Sequence, residues 1–257
     1  MIKAFFIAMG LLTRIPVPKL FHINENDSET LYGWSVLFYP LVGLLIGGVL
    51  ILVSWVLSFL TLPSHGLIEA GIILLVWVLI TGALHLDGLA DSADAWLGGY
   101  GDRQRTLDIM KDPYSGPAAV VVLVLVLLLK FSSLVVIDWQ VLLLAPVLAR
   151  TIVMLLLATT PYVREGGMGE IAVKNIAKYS VMIIFLLVLI FSVVLLKQKS
   201  IALIFIFLVA ALLRRLMLKR INGTTGDTAG AMLEVMEVTI LLVLVAISDF
   251  EMPHQAL

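Results

Sequence analysis

Apolar residues in this chain come in long runs. Seven of them, at approximately 35–61, 67–84, 117–136, 140–159, 180–196, 200–217 and 230–248, approach or exceed the about 20 residues that a helix needs to cross a hydrocarbon core of about 30 Å. The pattern therefore predicts an all-α, polytopic integral membrane protein with about seven transmembrane helices. The first run contains Gly43, Gly47 and Gly48, which let a helix tilt or pack closely on a neighbour. The sixth is the weakest of the seven. Residues 1–30 hold a shorter apolar stretch that meets Arg14 and two prolines early and has no small-residue cleavage site. They read as a retained interfacial or re-entrant segment. The longest connection, about 85–116, has some thirty residues, so 1–257 reads as a single transmembrane domain with a cytoplasmic acidic loop at 85–116. Internal repeats and low-complexity tracts are not evident.

Composition agrees: 61% of the 257 residues are hydrophobic and 14% charged, and the mean hydropathy is +1.10, far from an ordinary soluble domain. The near-neutral net charge hides an asymmetry of position. With the N-terminus cytoplasmic, the inner side receives Lys3, Arg14, Lys19, Arg103, Arg105, Lys111, Arg164, Lys174, Lys178, Arg214, Arg215, Lys219 and Arg220, which is thirteen of the 17 basic residues. The outer side receives Lys130, Lys197 and Lys199, and Arg150 falls inside a span. That excess predicts seven crossings of the cytoplasmic (inner) membrane, N-terminus in and C-terminus out. Such a chain is a poor nucleic-acid partner. With no cysteine, disulfides, thiolate ligands and cysteine nucleophiles are excluded.

The stretch GALHLDGLADSADAW, residues 82–96, is then conspicuous. Asp87, Asp91 and Asp94 are four and three residues apart, which on a helix puts all three carboxylates on one stripe. Such a stripe repels itself unless something positive lies on it. A divalent cation with oxygen ligands is the natural candidate, Mg²⁺ before Ca²⁺ or Mn²⁺, and zinc fits poorly with His85 the only nearby nitrogen ligand. A solvated loop is the alternative, set against the apolar residues interleaved with the acids. His85 is either a hydrogen-bonded interfacial residue or a catalytic base.

A second acidic group lies in NGTTGDTAGAMLEVMEV, residues 222–238. Asp227 and Glu234 are seven apart, nearly eclipsed on a helix, and Glu237 follows one turn later. Asp227 or Thr225 would serve as an N-cap. Glu234 and Glu237 fall inside an apolar span, where an unpaired acid is expensive, so each needs a partner or a function. Arg150 is subject to the same argument, either as partner of one of these acids or as a contact for an anionic substrate. Between the clusters, Arg103, Arg105 and Lys111 suit phosphate, or serve only topology, and Ser115, Gly116 and Pro117 open a helix whose backbone donors suit an anion. Two acidic groups flanked by cations predict Mg²⁺-dependent chemistry on a phosphate or diphosphate ester, with His85 or a spare carboxylate as base.

Four motifs in order, FIAMGLLTRIPVP, HLDGLADSADAWLGG, LDIMKDPYSGPAAV and GDTAGAMLEVMEV, resemble those of the cobalamin synthase family, adenosylcobinamide-GDP ribazoletransferases. The resemblance implies an Mg²⁺-requiring transfer. A hydroxyl of α-ribazole, or of its 5'-phosphate, attacks the phosphate that joins the aminopropanol arm of adenosylcobinamide to GMP, and GMP leaves. It places the family's acidic motifs on Asp87, Asp91 and Asp94 and on Asp227, Glu234 and Glu237. These six are the expected metal ligands, and the first three, together with His85 as read from its position, are the expected catalytic residues. The expected substrate contacts are Arg14, Arg103, Lys111, Asp112, Ser115 and Arg150. Expected partners are the two substrates, the lipid bilayer, further copies of the chain and other enzymes of cobalamin assembly. The loop MKDPYSG departs from the family in carrying Pro113 and Tyr114 where members often have an arginine. A CDP-alcohol phosphotransferase is a rival, but the arginine of its usual DG-x-x-AR pattern is answered here by Asp91. A UbiA-like prenyltransferase fits the glutamates of the second group less well, and a cation transporter is the non-enzyme alternative.

Overall fold

The computed structural model describes residues 1–18, 29–59, 65–136, 138–166 and 168–250. Twelve α-helices run through them: α1 (Ile2–Leu12), α2 (Thr30–Val36), α3 (Tyr39–Ser58), α4 (His65–Thr81), α5 (Leu84–Gly98), α6 (Arg103–Ile109), α7 (Pro117–Leu134), α8 (Trp139–Thr159), α9 (Met168–Lys174), α10 (Lys178–Leu196), α11 (Ala202–Ile221) and α12 (Gly226–Phe250). Lys19 and the rest of 19–28, where part of the reading of the N-terminal segment falls, lie outside the described residues.

By length and composition, α3, α7, α8, α12 and the stretch from Lys178 to Ile221 could each cross a membrane, and α4 with α5 makes a sixth if that bent pair counts as one. The 44-residue stretch is not one rod. Its backbone turns at Lys197, φ 51° and ψ −118°, and the rings of Phe185 and Phe207 meet at 5.6 Å. Rings that far apart in sequence touch only if α10 and α11 lie side by side as a hairpin. Leu187, Val194 and Leu208, all more than 60% exposed, point their apolar side chains outward, as a lipid-facing surface requires.

The centre of the bundle is α8, 89% buried over its apolar length and hydrophobic on every side. Against it α3 packs through glycines, since a β-carbon at Gly43 would stand 2.6 Å from the Pro146 carbonyl oxygen and one at Gly47 2.9 Å from the Leu143 Cα. Close approach is thus what these two residues supply. Gly48 meets nothing within 4 Å.

Lys130 is not on the outer side. It lies within α7, 2% exposed, its Nζ 2.6 Å from Glu234 Oε2 and 2.5 Å from Glu237 Oε2, beneath the ring of Trp77 at 4.9 Å. Arg150 completes the group from α8, its Nη1 donating to Glu237 Oε1 at 2.7 Å and to the Pro146 carbonyl at 3.1 Å. Two cations and two carboxylates form a neutral network sealed from solvent. Buried charges must be paired, and these are paired with one another. Glu234 and Glu237, expected as metal ligands, are thus engaged by Lys130 and Arg150, and Arg150, expected as a substrate contact or a partner of these acids, has no exposed surface and pairs with Glu237.

Candidate functional site

The site is built where α4 ends. Gly82 and Ala83, with φ of 60° and 56°, turn the chain so that α5 leaves α4 at 87°. The stretch expected as an acidic loop is thus a packed helix, α5, followed by the short α6. His85, Leu86, Gly88, Leu89, Ala90, Ser92 and Ala95 form the buried face of α5. The aspartate stripe occupies the other face, Asp87 exposed and Asp91 and Asp94 half-buried.

Glycines bring α5 against α12. A β-carbon at Gly88 would lie 2.7 Å from the Asp227 carbonyl oxygen, and one at Gly230 would lie 3.4 Å from the His85 Cα. The two acidic motifs therefore meet at one helix crossing, and the charges of Asp87, Asp94 and Asp227 act together on Asp91, with Arg164 opposing them.

The four aspartates have different duties. Asp94 accepts hydrogen bonds from the backbone N–H of Gly116 at 2.5 Å and of Ala119 at 3.1 Å, capping the first turn of α7 from a neighbouring helix. Asp227 is in the first turn of α12, but Thr225 caps that helix: its Oγ1 accepts from the Thr228 N–H at 3.2 Å, while Thr228 Oγ1 accepts from the Thr225 N–H at 2.8 Å. The carboxylate of Asp227 is left to Arg164, whose Nη1 lies 2.9 Å away. Asp87 and Asp91 have no hydrogen-bonded partner among the described residues.

Arg164 is held by the connection between α8 and α9. The Thr224 N–H donates to the Pro161 carbonyl at 2.8 Å and the Val163 N–H to the Thr224 carbonyl at 2.9 Å, so Tyr162 and Thr224 pair as an isolated parallel bridge. That bridge ties residues 161–163 to the start of α12. The Tyr162 hydroxyl lies where a β-carbon at Gly169 would be 2.3 Å away. Burial holds the Tyr162 phenol above its usual range, with the Asp227 carboxylate adding to the effect. It is a neutral hydrogen-bonding group.

Two cavities meet at Arg164 and Asp227. One, about 500 Å³, is walled largely by apolar residues of α1, α8 and α12, with Tyr39, His85, Asp87 and Tyr162 in its lining. The other, about 530 Å³, is lined by one face of α6, with Arg103, Gln104 and Lys111, and by Val163 and Glu165. Both are of a size that holds a small-molecule ligand. His85 is buried, and its Nδ1 has no hydrogen-bond partner.

Of the expected substrate contacts, Arg103 and Lys111 line the second cavity. Asp112 does not line either. Its Oδ1 accepts from the Tyr114 N–H at 3.0 Å, a local turn contact. Ser115 is exposed beside the start of α7, also outside both cavities. Arg14 is exposed, with its stem over Gly82; its N–H donates to the Ile80 carbonyl at 2.7 Å. Arg164, read from sequence only as a topological charge, is the residue that sequence reasoning missed. The available signal was an arginine and a glutamate directly before two glycines in a short connection.

As to a metal, no group of three histidine or acidic side chains among the described residues stands close enough to hold one unaided. Asp87 and Asp91, with Asp227 across the crossing, nevertheless suit Mg²⁺, which usually takes only one or two carboxylates and completes its shell with substrate phosphates and water.

The fold and the site are those of a multi-pass helical membrane protein in which carboxylates and cations converge on two adjoining cavities. The comparison with known proteins gives it a family. Residues 4–245 match the model of the cobalamin-5-phosphate synthase family. A protein of Pseudomonas entomophila (strain L48) named adenosylcobinamide-GDP ribazoletransferase is 49% identical over 245 residues, covering 93% of this chain and 96% of its own. Its namesake in Stutzerimonas stutzeri (strain A1501) is 45% identical over 240 residues, covering 92% and 95%. No solved structure matches. The chain belongs to the cobalamin-5-phosphate synthase family and is a transferase of cobalamin biosynthesis.

Proposed function

We propose that the protein transfers adenosylcobinamide phosphate from adenosylcobinamide-GDP to α-ribazole or its 5'-phosphate, releasing GMP, with Mg²⁺ as cofactor. The relatives' names supply the substrates. The observation that carries the chemistry is the crossing of α5 on α12, which sets Asp87, Asp91 and Asp227 opposite Arg164, with Arg103 and Lys111 beyond it. A diphosphate needs this pairing of carboxylates for its cation with cations for its oxygens.

In the reaction, a hydroxyl oxygen of the ribazole bonds to the phosphorus that carries the cobinamide arm. The bond from that phosphorus to the bridging oxygen breaks, and GMP departs with the electron pair. The hydroxyl proton leaves to a base; His85 and Asp87 are the proton acceptors that line the first cavity beside Asp227. Asp87, Asp91 and Asp227 would hold Mg²⁺, which when bound supplies positive charge to the phosphoryl oxygens. Arg164, Arg103 and Lys111 hold phosphate oxygens where charge grows on the leaving group.

The proposed topology is seven crossings with the site on the cytoplasmic side of the inner membrane. In support, α10 and α11 fold back as a hairpin, and Arg103, Lys111 and Arg164 gather at the end of the bundle that carries the aspartates.

The test is release of GMP from adenosylcobinamide-GDP by the purified protein in lipid, with and without α-ribazole, and with Mg²⁺ or a chelator. Release that depends on both ribazole and Mg²⁺ is expected. Release without ribazole, or undiminished by chelation, overturns the reading.

A further inference from the structure

Two cavities flank one ion pair, and their walls differ in chemistry. The Arg164–Asp227 pair, 2.9 Å apart, supplies the two residues common to both linings. On one side are leucines, two tyrosines, His85 and Asp87. On the other are Arg103, Gln104, Lys111 and Glu165. With Arg164 counted, the second cavity has three cations against two acids, the balance that an anion of modest charge requires.

Resting on the reaction proposed above, we propose that the ion pair partitions the substrates: the nucleotide half, which departs as GMP, occupies the basic cavity of Arg103, Lys111 and Arg164, and the acceptor nucleoside occupies the more apolar cavity lined by Tyr39, Tyr162 and His85. The corrin, far larger than either cavity, stays outside with only its phosphorylated arm reaching the junction. A flat aromatic base with a ribose matches an apolar wall that ends in a few polar groups, whereas phosphate and guanine match a polar one. The phosphorus under attack then lies at the wall between the cavities, with the incoming hydroxyl on one side and the departing phosphate on the other, as in-line displacement demands.

Arg164 has a second consequence. In the free protein it neutralises Asp227. When a nucleotide phosphate enters the basic cavity, the guanidinium gains a better partner, and the Asp227 carboxylate is released for the divalent cation. Arg164 thus couples nucleotide binding to cation binding.

The experiment uses the full chain in lipid nanodiscs and reads three quantities: equilibrium binding of GMP, binding of Mn²⁺ in the absence of substrate, and KM for each substrate. Lys111→Gln and Arg103→Gln are each expected to weaken GMP binding and raise KM for adenosylcobinamide-GDP by about tenfold, the worth of one charged phosphate contact, with KM for α-ribazole unchanged. Both residues are exposed, so the fold is not at stake. Arg164→Gln is expected to weaken GMP by a similar factor and to tighten nucleotide-free Mn²⁺. GMP binding that is absent, or indifferent to all three variants, overturns the partition, as does a rise in ribazole KM from Lys111→Gln. Failure of the transfer reaction is separable. GMP that binds wild type and is lost in Lys111→Gln, without turnover of the two substrates, leaves the nucleotide cavity standing and removes the assigned reaction.

Discussion

Gly88 of α5 lies against the backbone of Asp227 of α12, so near that a β-carbon at position 88 would stand 2.7 Å from the Asp227 carbonyl oxygen and 3.0 Å from its Cα. Neither atom belongs to a flexible side chain, so a larger residue must push the helices apart. Gly88→Ala is expected to leave the protein inserted in the membrane while lowering turnover about 10²-fold, the scale on which a displacement of about 1 Å acts in a site of this kind. Turnover of the purified variant near that of wild type would show that the crossing does not set the geometry of the aspartates.

The aspartates of α5 are not equivalent. Asp87→Asn and Asp91→Asn remove charge from groups without a protein partner and are expected to lower kcat by about 10²-fold or more. Asp94→Asn keeps one acceptor oxygen, for either the Gly116 or the Ala119 N–H, which in Asp94 donate to different carboxylate oxygens, so its loss is expected to stay within about tenfold, the scale of one lost cap. Steady-state kinetics of the three variants decide this, and equal losses at all three positions contradict the division of duties.

The buried network predicts stability, not catalysis. Lys130→Met leaves Glu234 and Glu237 facing Arg150 alone, and removal of one partner from a buried ionic group is expected to destabilise by about 3–5 kcal/mol. Adding Glu234→Gln restores charge balance around the Arg150–Glu237 pair and should recover most of that loss. Unfolding in mixed micelles measures both. A double variant no more stable than the single one would break the argument.

Sidedness is tested by single cysteines in a chain that has none of its own. Cysteines replacing Arg103 and Arg164 are expected to resist a membrane-impermeant thiol reagent applied to intact cells and to react once the cells are opened. Ready labelling of either in intact cells refutes a cytoplasmic site.

The sequence alone determined that this is a helical membrane protein, because the length and composition of an apolar run are local properties that the bilayer reads directly. The stripe of Asp87, Asp91 and Asp94 was legible for the same reason, since helical periodicity places residues three and four apart on one face. What periodicity does not contain is which helix faces which. Lys130 is 104 and 107 residues from Glu234 and Glu237, and Arg150 is 87 residues from Glu237. Only the packing of α7 and α8 on α12 joins Lys130, Arg150, Glu234 and Glu237 in one buried ionic network. Asp94 became a cap of α7 across 22 residues, and Arg164 reached Asp227 across 63. A charge buried in hydrocarbon must find an opposite charge somewhere in the chain, but the requirement does not say where, and it is the tertiary fold that chooses the partner.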